Sequence, residues 1–284
     1  MGRFAYINGS YKRHNQAEIS IDDRGLQFGD AVYEVYSYQN GRVLDDDLHL
    51  NRLERSLGAL GIKMPITRDS FKTIVARLVK MNNLKTGLVY FQISRGTAPR
   101  DHFIPKKKIT PNIIITTKSM KIPDNSKMVK PINVISQDDI RWGRVDIKTV
   151  MLLPNCMAKT NGREKDCEEI VFVKNGVVTE SASSNFFFVD SDNNLITAPT
   201  GDILEGITRN TLFDCAKTLG LKVIERKFSI EEARQAKEAF VSSATQIVRP
   251  IKKIDDSVIG DGKNYDICSK LYDMYMKIIP KIVE

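Results

Sequence analysis

The stretch EEIVFVKNGVVTE, residues 168–180, is the clearest indication of the fold of this 284-residue chain. Two runs rich in β-branched and aromatic residues flank the dipeptide Asn175-Gly176. Asn-Gly between such runs favours a two-residue hairpin turn, because both turn residues must adopt positive φ angles. The stretch therefore predicts a β-hairpin that ends at Glu180.

Strand and helix patterns cover most of the remaining chain. Leucines at spacings of three and four predict a helix over Asp46–Leu60 that ends at Gly61, and Thr67 is a candidate N-cap for a helix over Asp69–Met81. Further helices are predicted at Leu152–Gly162, Thr208–Leu219 and Tyr265–Ile279. Further strands are predicted in FAYING (4–9), AVYEVYSYQNGRVL (31–44, a hairpin around Asn40-Gly41), GLVYFQIS (87–94), NIIITT (112–117), INVISQ (132–137), SNFFFVDSDNNLIT (184–197) and KEAFVSS (237–243).

The segment KSMKIPDNSKMVKP, residues 118–131, separates two parts of the chain. It has few apolar residues, two prolines and several polar turn formers, which is typical of a linker. We predict a small N-terminal α/β domain over residues 1–118, a linker over 119–130 and a larger strand-rich domain over 131–284. The fold class is α/β or α+β in two domains, with helices lying against mixed sheets.

The formal net charge of +8 raises the question of an anionic partner. The lysines are spread along the chain, and the densest run, Lys106–Lys108, lacks interleaved aromatic residues. An anionic small molecule, or solubility alone, explains the charge as well as nucleic acid does. We therefore predict no nucleic-acid partner.

Bulk composition also excludes several classes of protein. Hydrophobic residues are 42% and charged residues 27%, which is ordinary for a globular chain, and no apolar run is long enough to span a membrane. The first residues lack the apolar core of a signal peptide, so the cytoplasm is the predicted compartment. Four well-separated cysteines indicate free thiols, and three histidines without ligand spacing predict no metal site.

Two residues are candidates for chemistry although neither is decisive alone. Lys148 lies in the apolar run RWGRVDIKTVMLLPNC, where partial desolvation would make its amine a nucleophile. A snorkelling or edge lysine is the alternative. Glu180 lies beside small hydroxyl residues and is either a buried hydrogen-bond partner or an exposed residue at a strand end.

Three further positions are candidates for an anion site. Gly206-Ile207-Thr208 precedes a helical pattern, and the free N–H groups of a helix start can bind phosphate, although Thr208 as a plain N-cap is the alternative. SSATQ, residues 242–246, is a second small polar turn. Arg52 on the first predicted helix is either a bidentate phosphate ligand or a solvated arginine.

The loop RGTAPRDHF, residues 95–103, carries Arg100 and His102 two residues apart. If Pro99 keeps the segment extended, both side chains point to the same side and converge on one small target. A guanidinium fork suits a carboxylate. A solvated polar loop and a general basic patch are the alternatives.

An amine nucleophile, a carboxylate for a pyridine nitrogen, two phosphate-binding turns and an arginine are together the contacts that pyridoxal 5′-phosphate (PLP) requires. The corresponding segments resemble motifs of the fold-type IV PLP enzymes. These are the lysine segment RWGRVDIKTVMLLPNCMAK (141–159), the cofactor-nitrogen segment VTESASSNFFFV (178–189), the phosphate loop LEGITR (204–209), and the opening pattern DRGLQFGDAVYEVY (23–36) with HLNRLERS (49–56). They run in the family's order over most of the chain.

Within that superfamily, YFQISRGTAPRDHFIP (90–105) resembles the substrate-carboxylate trap of the D-amino acid aminotransferase family. The resemblance implies a homodimer with active sites at the domain and subunit interface, so that part of the trap comes from the partner chain. It implies transamination between a D-amino acid such as D-alanine and a 2-oxo acid such as 2-oxoglutarate. An L-specific branched-chain aminotransferase or an aminodeoxychorismate lyase of the same fold is the alternative.

The resemblance also implies a role for each matching residue. Lys148 would carry PLP covalently and then shuttle the proton, and Glu180 would keep the pyridine nitrogen protonated. The phosphate would be bound by Arg52 and the backbone at Ile207 and Thr208, and Ser183 and Ser243 would also bind the cofactor. The α-carboxylate ligands would be Tyr33, Arg100 and His102. One departure is Ser243-Ala244, where the family usually has Ser-Thr, although Thr245 is near.

Overall fold

The computed structural model describes residues 3–39, 41–120 and 130–278. The described chain forms two compact units, one of residues 3–39, 41–120 and 147–151, and the other of residues 130–146 and 152–278. Residues 147–151 thus join the first unit although they follow the predicted linker in sequence. Most of that linker, residues 121–129, lies outside the described residues, so its role stays a prediction.

The first unit is built on a six-stranded sheet in the order β2-β1-β6-β5-β3-β4, and every neighbouring pair is antiparallel. Its strands are β1 Phe4–Ile7, β2 Ser10–Arg13, β3 Ala31–Gln39, β4 Arg42–Val43, β5 Gly87–Ser94 and β6 Asn112–Ser119. Its helices are α1 Arg24–Phe28, α2 Asp46–Ala59 and α3 Arg68–Met81, with a 3-10 turn at His14–Gln16. The hairpin of β3 and β4 confirms the prediction there, but Asn40 of its turn lies outside the described residues.

Helices α2 and α3 supply the core on the sheet of the first unit. The leucine stripe of α2 is buried at Leu50, Leu53 and Leu57, as its spacing predicts. Thr67 caps α3 by accepting a hydrogen bond from the backbone N–H of Ser70, which confirms the predicted N-cap. Aromatic rings from β3, α3 and β5 pack edge to face, with Phe71 and Phe91 centroids 4.7 Å apart.

The second unit is built on a nine-stranded sheet in the order β12-β11-β10-β13-β14-β7-β8-β9, with β15 paired to β14. Its strands are β7 Ile132–Asp138, β8 Glu169–Lys174, β9 Val177–Ser181, β10 Asn185–Val189, β11 Leu195–Thr197, β12 Val223–Glu225, β13 Glu238–Ser242, β14 Arg249–Ile254 and β15 Ser257–Val258. Its helices are α4 Leu153–Glu164, α5 Ile207–Thr218, α6 Ile230–Arg234 and α7 Asp266–Ile278.

The sheet of the second unit is mixed, as predicted for the whole chain, whereas that of the first unit is antiparallel. The hairpin of β8 and β9 is present, and Asn175 and Gly176 have φ angles of 51° and 77°. Strand β10 is buried along its whole length, which explains its run of phenylalanines. The predicted terminal helix starts at Asp266, and Ile279 lies outside the described residues.

Several short elements have no counterpart among the predictions. Helices α1 and α6 have five residues each, and β2, β12 and β15 have two to four. Segments of this length are too short to show a hydrophobic period, and their pairing with distant strands decides their conformation.

We predict that Leu53→Ala lowers the free energy of unfolding by about 2–5 kcal/mol, because it leaves a cavity under α2. Leu53 is fully buried, whereas Leu48 on the same helix is 45% exposed. Urea unfolding followed by circular dichroism measures the effect, with Leu48→Ala as the control, expected within about 0.5 kcal/mol of wild type. Equal losses in the free energy of unfolding in both variants would contradict the assignment of Leu53 to the buried face of α2.

Candidate active site

Lys148 lies in the short segment 147–151 that runs beside the start of β3. Thr149 forms an isolated antiparallel bridge with Val32, and the Lys148 carbonyl accepts a hydrogen bond from the Tyr33 N–H at 3.0 Å. The Lys148 Nζ lies 4.3 Å from the centroid of the Tyr33 ring. The structure therefore brings together the predicted nucleophile and one predicted carboxylate ligand.

Tyr33 belongs to a small group of side chains on one face of β3 and β5. It stacks on Tyr90 with a centroid separation of 5.7 Å, and the Tyr90 hydroxyl donates to Gln92 Oε1 at 2.7 Å. Burial, and to a lesser extent the neighbouring Tyr33, raise the pKa of Tyr90 to about 12. The Tyr90 hydroxyl is thus a stable hydrogen-bond donor at neutral pH.

Arg52 is buried rather than solvated, and it forms a bidentate ion pair with Glu34 on β3. Its Nε and Nη2 donate to the two Glu34 carboxylate oxygens at 2.6 and 2.8 Å, and His49 Nδ1 lies 2.7 Å from Glu34 Oε2. Burial opposes ionisation of Glu34, but Arg52 and His49 prevail and lower its pKa to about 2. The pair with Glu34 fixes the Arg52 guanidinium in one orientation.

Arg100 and His102 lie in the exposed loop after β5 and share one aromatic neighbour, Phe28. The Arg100 guanidinium is 4.9 Å from the Phe28 centroid, and the His102 ring meets Phe28 edge to face at 5.7 Å. The loop is bent at both residues, so the extended conformation after Pro99, which was the condition for their convergence, is absent. An Asx-type turn, in which Asp101 Oδ1 accepts from the Phe103 N–H at 3.2 Å, contributes to the bend.

Glu180 is a buried carboxylate at the end of the β8–β9 hairpin and not an exposed strand-end residue. It accepts hydrogen bonds from Arg141 Nη1 at 2.6 Å, from the Leu204 N–H at 3.0 Å and from Asn185 Nδ2 at 3.0 Å. These three partners are donors, which suits a carboxylate because it can only accept. The side chain is therefore held in place by three other segments of the second unit.

Arg141 is itself positioned by a second carboxylate. Its Nε and Nη2 pair with Asp139 at 2.9 and 2.7 Å, and its guanidinium lies 4.7 Å from the Phe172 ring. Burial opposes the charge, but the bonds to Asp139 and Glu180 prevail and raise the pKa of Arg141 above its ordinary value. A permanent positive charge therefore accompanies Glu180.

Asn185 joins Glu180 to the start of helix α5. Its Nδ2 also donates to the Leu204 carbonyl at 2.8 Å, and a Cβ atom added to Gly206 would lie 2.0 Å from Asn185 Oδ1. A side chain at position 206 would therefore displace the Asn185 amide from its hydrogen bonds. Gly206, rather than Thr208, is the N-cap of α5 and offers no side-chain cap to the first turn at Ile207.

The turn SSATQ lies close to the same place, because Ser242 on β13 pairs with Asn185 on β10. Ser243 Oγ is 3.2 Å from Thr245 Oγ1, which is consistent with a shared role for these two hydroxyls across Ala244. Ser183, by contrast, is exposed and donates to Glu169 Oε2 at 2.9 Å.

Comparison with known proteins assigns the chain to a family. Residues 31–254 match the family model of amino-transferase class IV. The chain is 32% identical over 275 residues to a D-alanine aminotransferase of Listeria innocua, covering 96% of this chain and 95% of that protein. It is 34% identical to a D-alanine aminotransferase of Staphylococcus haemolyticus, covering 96% and 97%. The chain belongs to the class IV aminotransferases.

Solved structures agree on the fold of this class IV aminotransferase. The branched-chain amino acid aminotransferase of Escherichia coli has a TM-score of 0.89 at 20% identity, covering 100% of this chain and 97% of that one. A putative 4-amino-4-deoxychorismate lyase of Legionella pneumophila has a TM-score of 0.82 at 23% identity, covering 93% and 96%. At these identities the likeness concerns the fold alone.

PLP is the cofactor of this family of enzymes, and a branched-chain aminotransferase of the same fold has been solved with pyridoxamine 5′-phosphate. The donor set of the second unit fits it. The hydroxyls of Ser181, Ser184 and Ser242 are buried without a partner among the described residues. Ser184 precedes Asn185 in the chain and Ser242 pairs with it, and Asn185 lies against Gly206 at the start of α5. Buried hydroxyls beside a helix N-terminus suit a phosphate group.

Other kinds of site find no support in the part of the chain that the structure describes. Residues 3–39, 41–120 and 130–278 contain no group of three metal-ligating side chains. Within the same ranges, no helix has the length and apolar character to cross a bilayer. The four cysteines, all in described segments, are free thiols.

Sequence reasoning missed four residues that organise these groups: Glu34, Tyr90, Arg141 and Asn185. The alternation of β3 and β5 carried a signal for Tyr90, since residues 33 and 35 face the same side as residues 90 and 92 once the strands pair. Arg141 and Asn185 lie inside quoted motifs but gave no local signal. Their partners are up to 39 residues away in the chain.

From the lowered pKa of Glu34 we predict that the stabilisation by its ion pair decreases as the pH falls. The pKa falls from 4.5 to about 2 on folding, so the stabilisation is complete above pH 4.5 and is lost as pH falls towards 2. The stability gap between wild type and Glu34→Gln should therefore shrink by about 1.4 kcal/mol from pH 7 to pH 3.5. Urea unfolding at both pH values measures the gap.

Glu18→Gln, at an exposed position of the same unit, controls for loss of one carboxylate. A gap for Glu34→Gln that stays constant between the two pH values would contradict the assigned ion pair.

Proposed function

We propose that this enzyme is a D-amino acid aminotransferase that transfers the amino group of D-alanine to 2-oxoglutarate, giving pyruvate and D-glutamate. The observation that carries the proposal is the pair Arg100 and His102 on the ring of Phe28. It occurs in a chain that resembles D-alanine aminotransferases along almost its whole length, at 32% and 34% identity. An arginine and an imidazole held together suit the α-carboxylate that donor and acceptor have in common.

Each predicted residue has a role in this proposal. When bound, PLP withdraws electrons from the substrate α-carbon and so eases removal of the α-proton. Lys148 carries the cofactor, and its Nζ takes the α-proton and returns it. Proton transfer by a positioned group of this kind contributes about 10²–10⁴-fold to the rate. Glu180, held by Arg141 and Asn185, keeps the proton on the pyridine nitrogen.

The proposal assigns the phosphate ligands by the residues that match the family motif. Arg52 is oriented by Glu34, and the N–H groups of Ile207 and Thr208 open helix α5. Ser243 is the hydroxyl ligand that the structure supports best, because it lies beside Thr245 and next to the buried Ser242. Ser183 is the weakest member, because its hydroxyl already donates to Glu169.

In this proposal, selection of the D enantiomer follows from where the α-carboxylate is held. A lysine acts on one face of the cofactor, and the hand that offers its α-hydrogen to that face depends on where the carboxylate is held. Tyr33, Arg100 and His102 are proposed to hold it on one side. The branched-chain aminotransferases and the lyase share the fold with this chain, and their likeness does not favour their substrates.

We predict that the purified protein, supplied with PLP, converts D-alanine and 2-oxoglutarate and discriminates against L-leucine and L-alanine. A panel of D- and L-amino acids with 2-oxoglutarate or pyruvate as acceptor, read as 2-oxo acid formed, measures this. Lys148→Ala should lower the rate by at least about 10²-fold, because no amine is left to move the proton.

Lys85→Ala, at an exposed lysine of the same unit, is the matched control and should keep wild-type rates. Transamination of L-leucine with no D activity would replace the proposal by a branched-chain aminotransferase. Failure to bind PLP would contradict it altogether.

We also propose that the active form is a homodimer. The first unit has four exposed large apolar side chains on or near α1, which we call the apolar patch. Ile21 precedes α1, Leu26 lies on it, and Phe103 and Ile104 lie in the segment that Arg24 contacts; they are 81%, 64%, 79% and 58% exposed. Isolated exposed apolar residues are ordinary, but a group of large ones around a single helix marks an interaction surface. The patch adjoins the loop of Arg100 and His102, which supports a trap completed across subunits.

Light scattering coupled to size exclusion tests the dimer. We expect twice the chain mass of 32.1 kDa for wild type and a shift towards the monomer for the double variant Phe103→Asp/Ile104→Asp, because charges in the patch must be desolvated on association. Ile140→Asp, at an exposed isoleucine outside the patch, should stay dimeric. A monomeric wild type at micromolar concentration would refute the dimer. The cytoplasmic location and the lack of a nucleic-acid partner stay predictions.

A further inference from the structure

A buried arginine, Arg24 on α1, contacts the backbone of the loop that carries Arg100 and His102. Arg24 Nη1 donates to the carbonyl of Asp101 at 2.8 Å and lies 3.4 Å from the carbonyl of Phe103. These two carbonyls flank His102 in the chain. Arg24 is only 3% exposed, so the contact is an interior one although the loop itself is exposed.

Arg24 also forms a hydrogen bond with the beginning of the same loop. Its backbone N–H donates to the Gly96 carbonyl at 2.9 Å. Gly96 has a φ angle of 114°, and a Cβ atom there would lie 2.1 Å from the Thr110 carbonyl, so this point of the chain requires glycine. One residue thus fixes both the entry and the tip of the loop.

The guanidinium of Arg24 is itself fixed by Asp30. Arg24 Nε donates to Asp30 Oδ2 at 2.9 Å, and Arg95 pairs with both oxygens of the same carboxylate at 2.6 and 2.9 Å. The three side chains are buried or nearly so, and a carboxylate between two arginines balances part of their charge. Because Asp30 uses the Nε edge of Arg24, Nη1 is directed at the loop.

Phe28, four residues after Arg24 on the same helix, completes the arrangement. The guanidinium groups of Arg24 and Arg100 lie 4.6 and 4.9 Å from its centroid, and His102 meets its edge. Residues at positions i and i+4 of a helix lie on one side. The helix α1 therefore presents a donor for the loop backbone and a ring for the loop side chains together.

We propose that Arg24 is a positioning residue for substrate binding, which sets Arg100 and His102 at the α-carboxylate by fixing the carbonyls of Asp101 and Phe103. The inference rests on the proposed function of that pair. Arg24 touches neither substrate nor cofactor in this role. Lysine cannot replace it, because an ammonium group cannot bond Asp30 and the loop carbonyls from the two edges of one rigid plane.

The test compares Arg24→Lys with wild type in the holoenzyme. We expect KM to rise about tenfold for both D-alanine and 2-oxoglutarate, with kcat within roughly twofold of wild type, because the trap binds ground state and transition state alike. A parallel rise for both substrates is the signature, since they share only the α-carboxylate. Hydrogen–deuterium exchange of peptides covering residues 97–105 should be faster in the variant at unchanged PLP content.

Arg95→Lys is the matched control. It removes a buried arginine from the same Asp30 carboxylate, but Arg95 donates to the carbonyls of Leu60 and Gly61 and not to the loop tip. We expect a loss of stability like that of Arg24→Lys with a much smaller rise in KM, because Arg24 keeps its own bonds to Asp30 and to the loop carbonyls in this variant. A milder second variant, Phe28→Leu, keeps the helix and removes the ring, and it should raise KM in the same direction if Arg24→Lys does not fold.

The outcomes separate this inference from the proposed function. If wild type lacks transaminase activity with every D-amino acid, the proposed function fails. Independently of that result, unchanged hydrogen–deuterium exchange of residues 97–105 in Arg24→Lys would refute the role of Arg24 in fixing the loop. If wild type is active, an unchanged KM in Arg24→Lys refutes the inference. A rise in KM no larger than that of Arg95→Lys also refutes it, because stability alone would then explain the effect.

Discussion

Buried carboxylates paired with arginines are the constraint on which the candidate site residues of each unit depend. A carboxylate that is taken out of water must accept hydrogen bonds from donors, because burying its charge otherwise costs several kcal/mol of folding free energy. In the first unit Glu34 receives Arg52 and His49, and Asp30 receives Arg24 and Arg95. In the second unit Glu180 receives Arg141 and Asn185.

Such pairs contribute geometry more than net stability. An isolated buried ion pair roughly balances its desolvation cost, but breaking it leaves an uncompensated charge, so each partner has one favourable position. Glu34 orients Arg52, and Glu180 ties the β8–β9 hairpin to the segment before α5 through Leu204 and Asn185. Catalysis requires groups placed within fractions of an ångström, and these bonds supply that placement from residues that do not react.

Part of the fold and site was evident from local pattern. The Asn175-Gly176 turn, the leucine stripe of α2 and the Thr67 cap each depend on a few consecutive residues, and the structure has all three. The motif segments led to the class IV family because their order along the chain is specific. The bend at Arg100 and the burial of Arg52 were not evident, because they depend on Arg24 and Glu34, which local spacing does not connect to them.

The sequence by itself determined the family, its cofactor and the chemical types at the candidate site, because those depend on which residues occur and in what order. Only the tertiary structure decided which partner each charged group has. Lys148 lies against Tyr33 because residues 147–151 pair with the start of β3, more than 100 positions earlier in the chain. Arg100 and His102 share Phe28 because α1 packs beneath their loop. Contacts between residues so far apart depend on strand pairing and packing, and no local pattern specifies them.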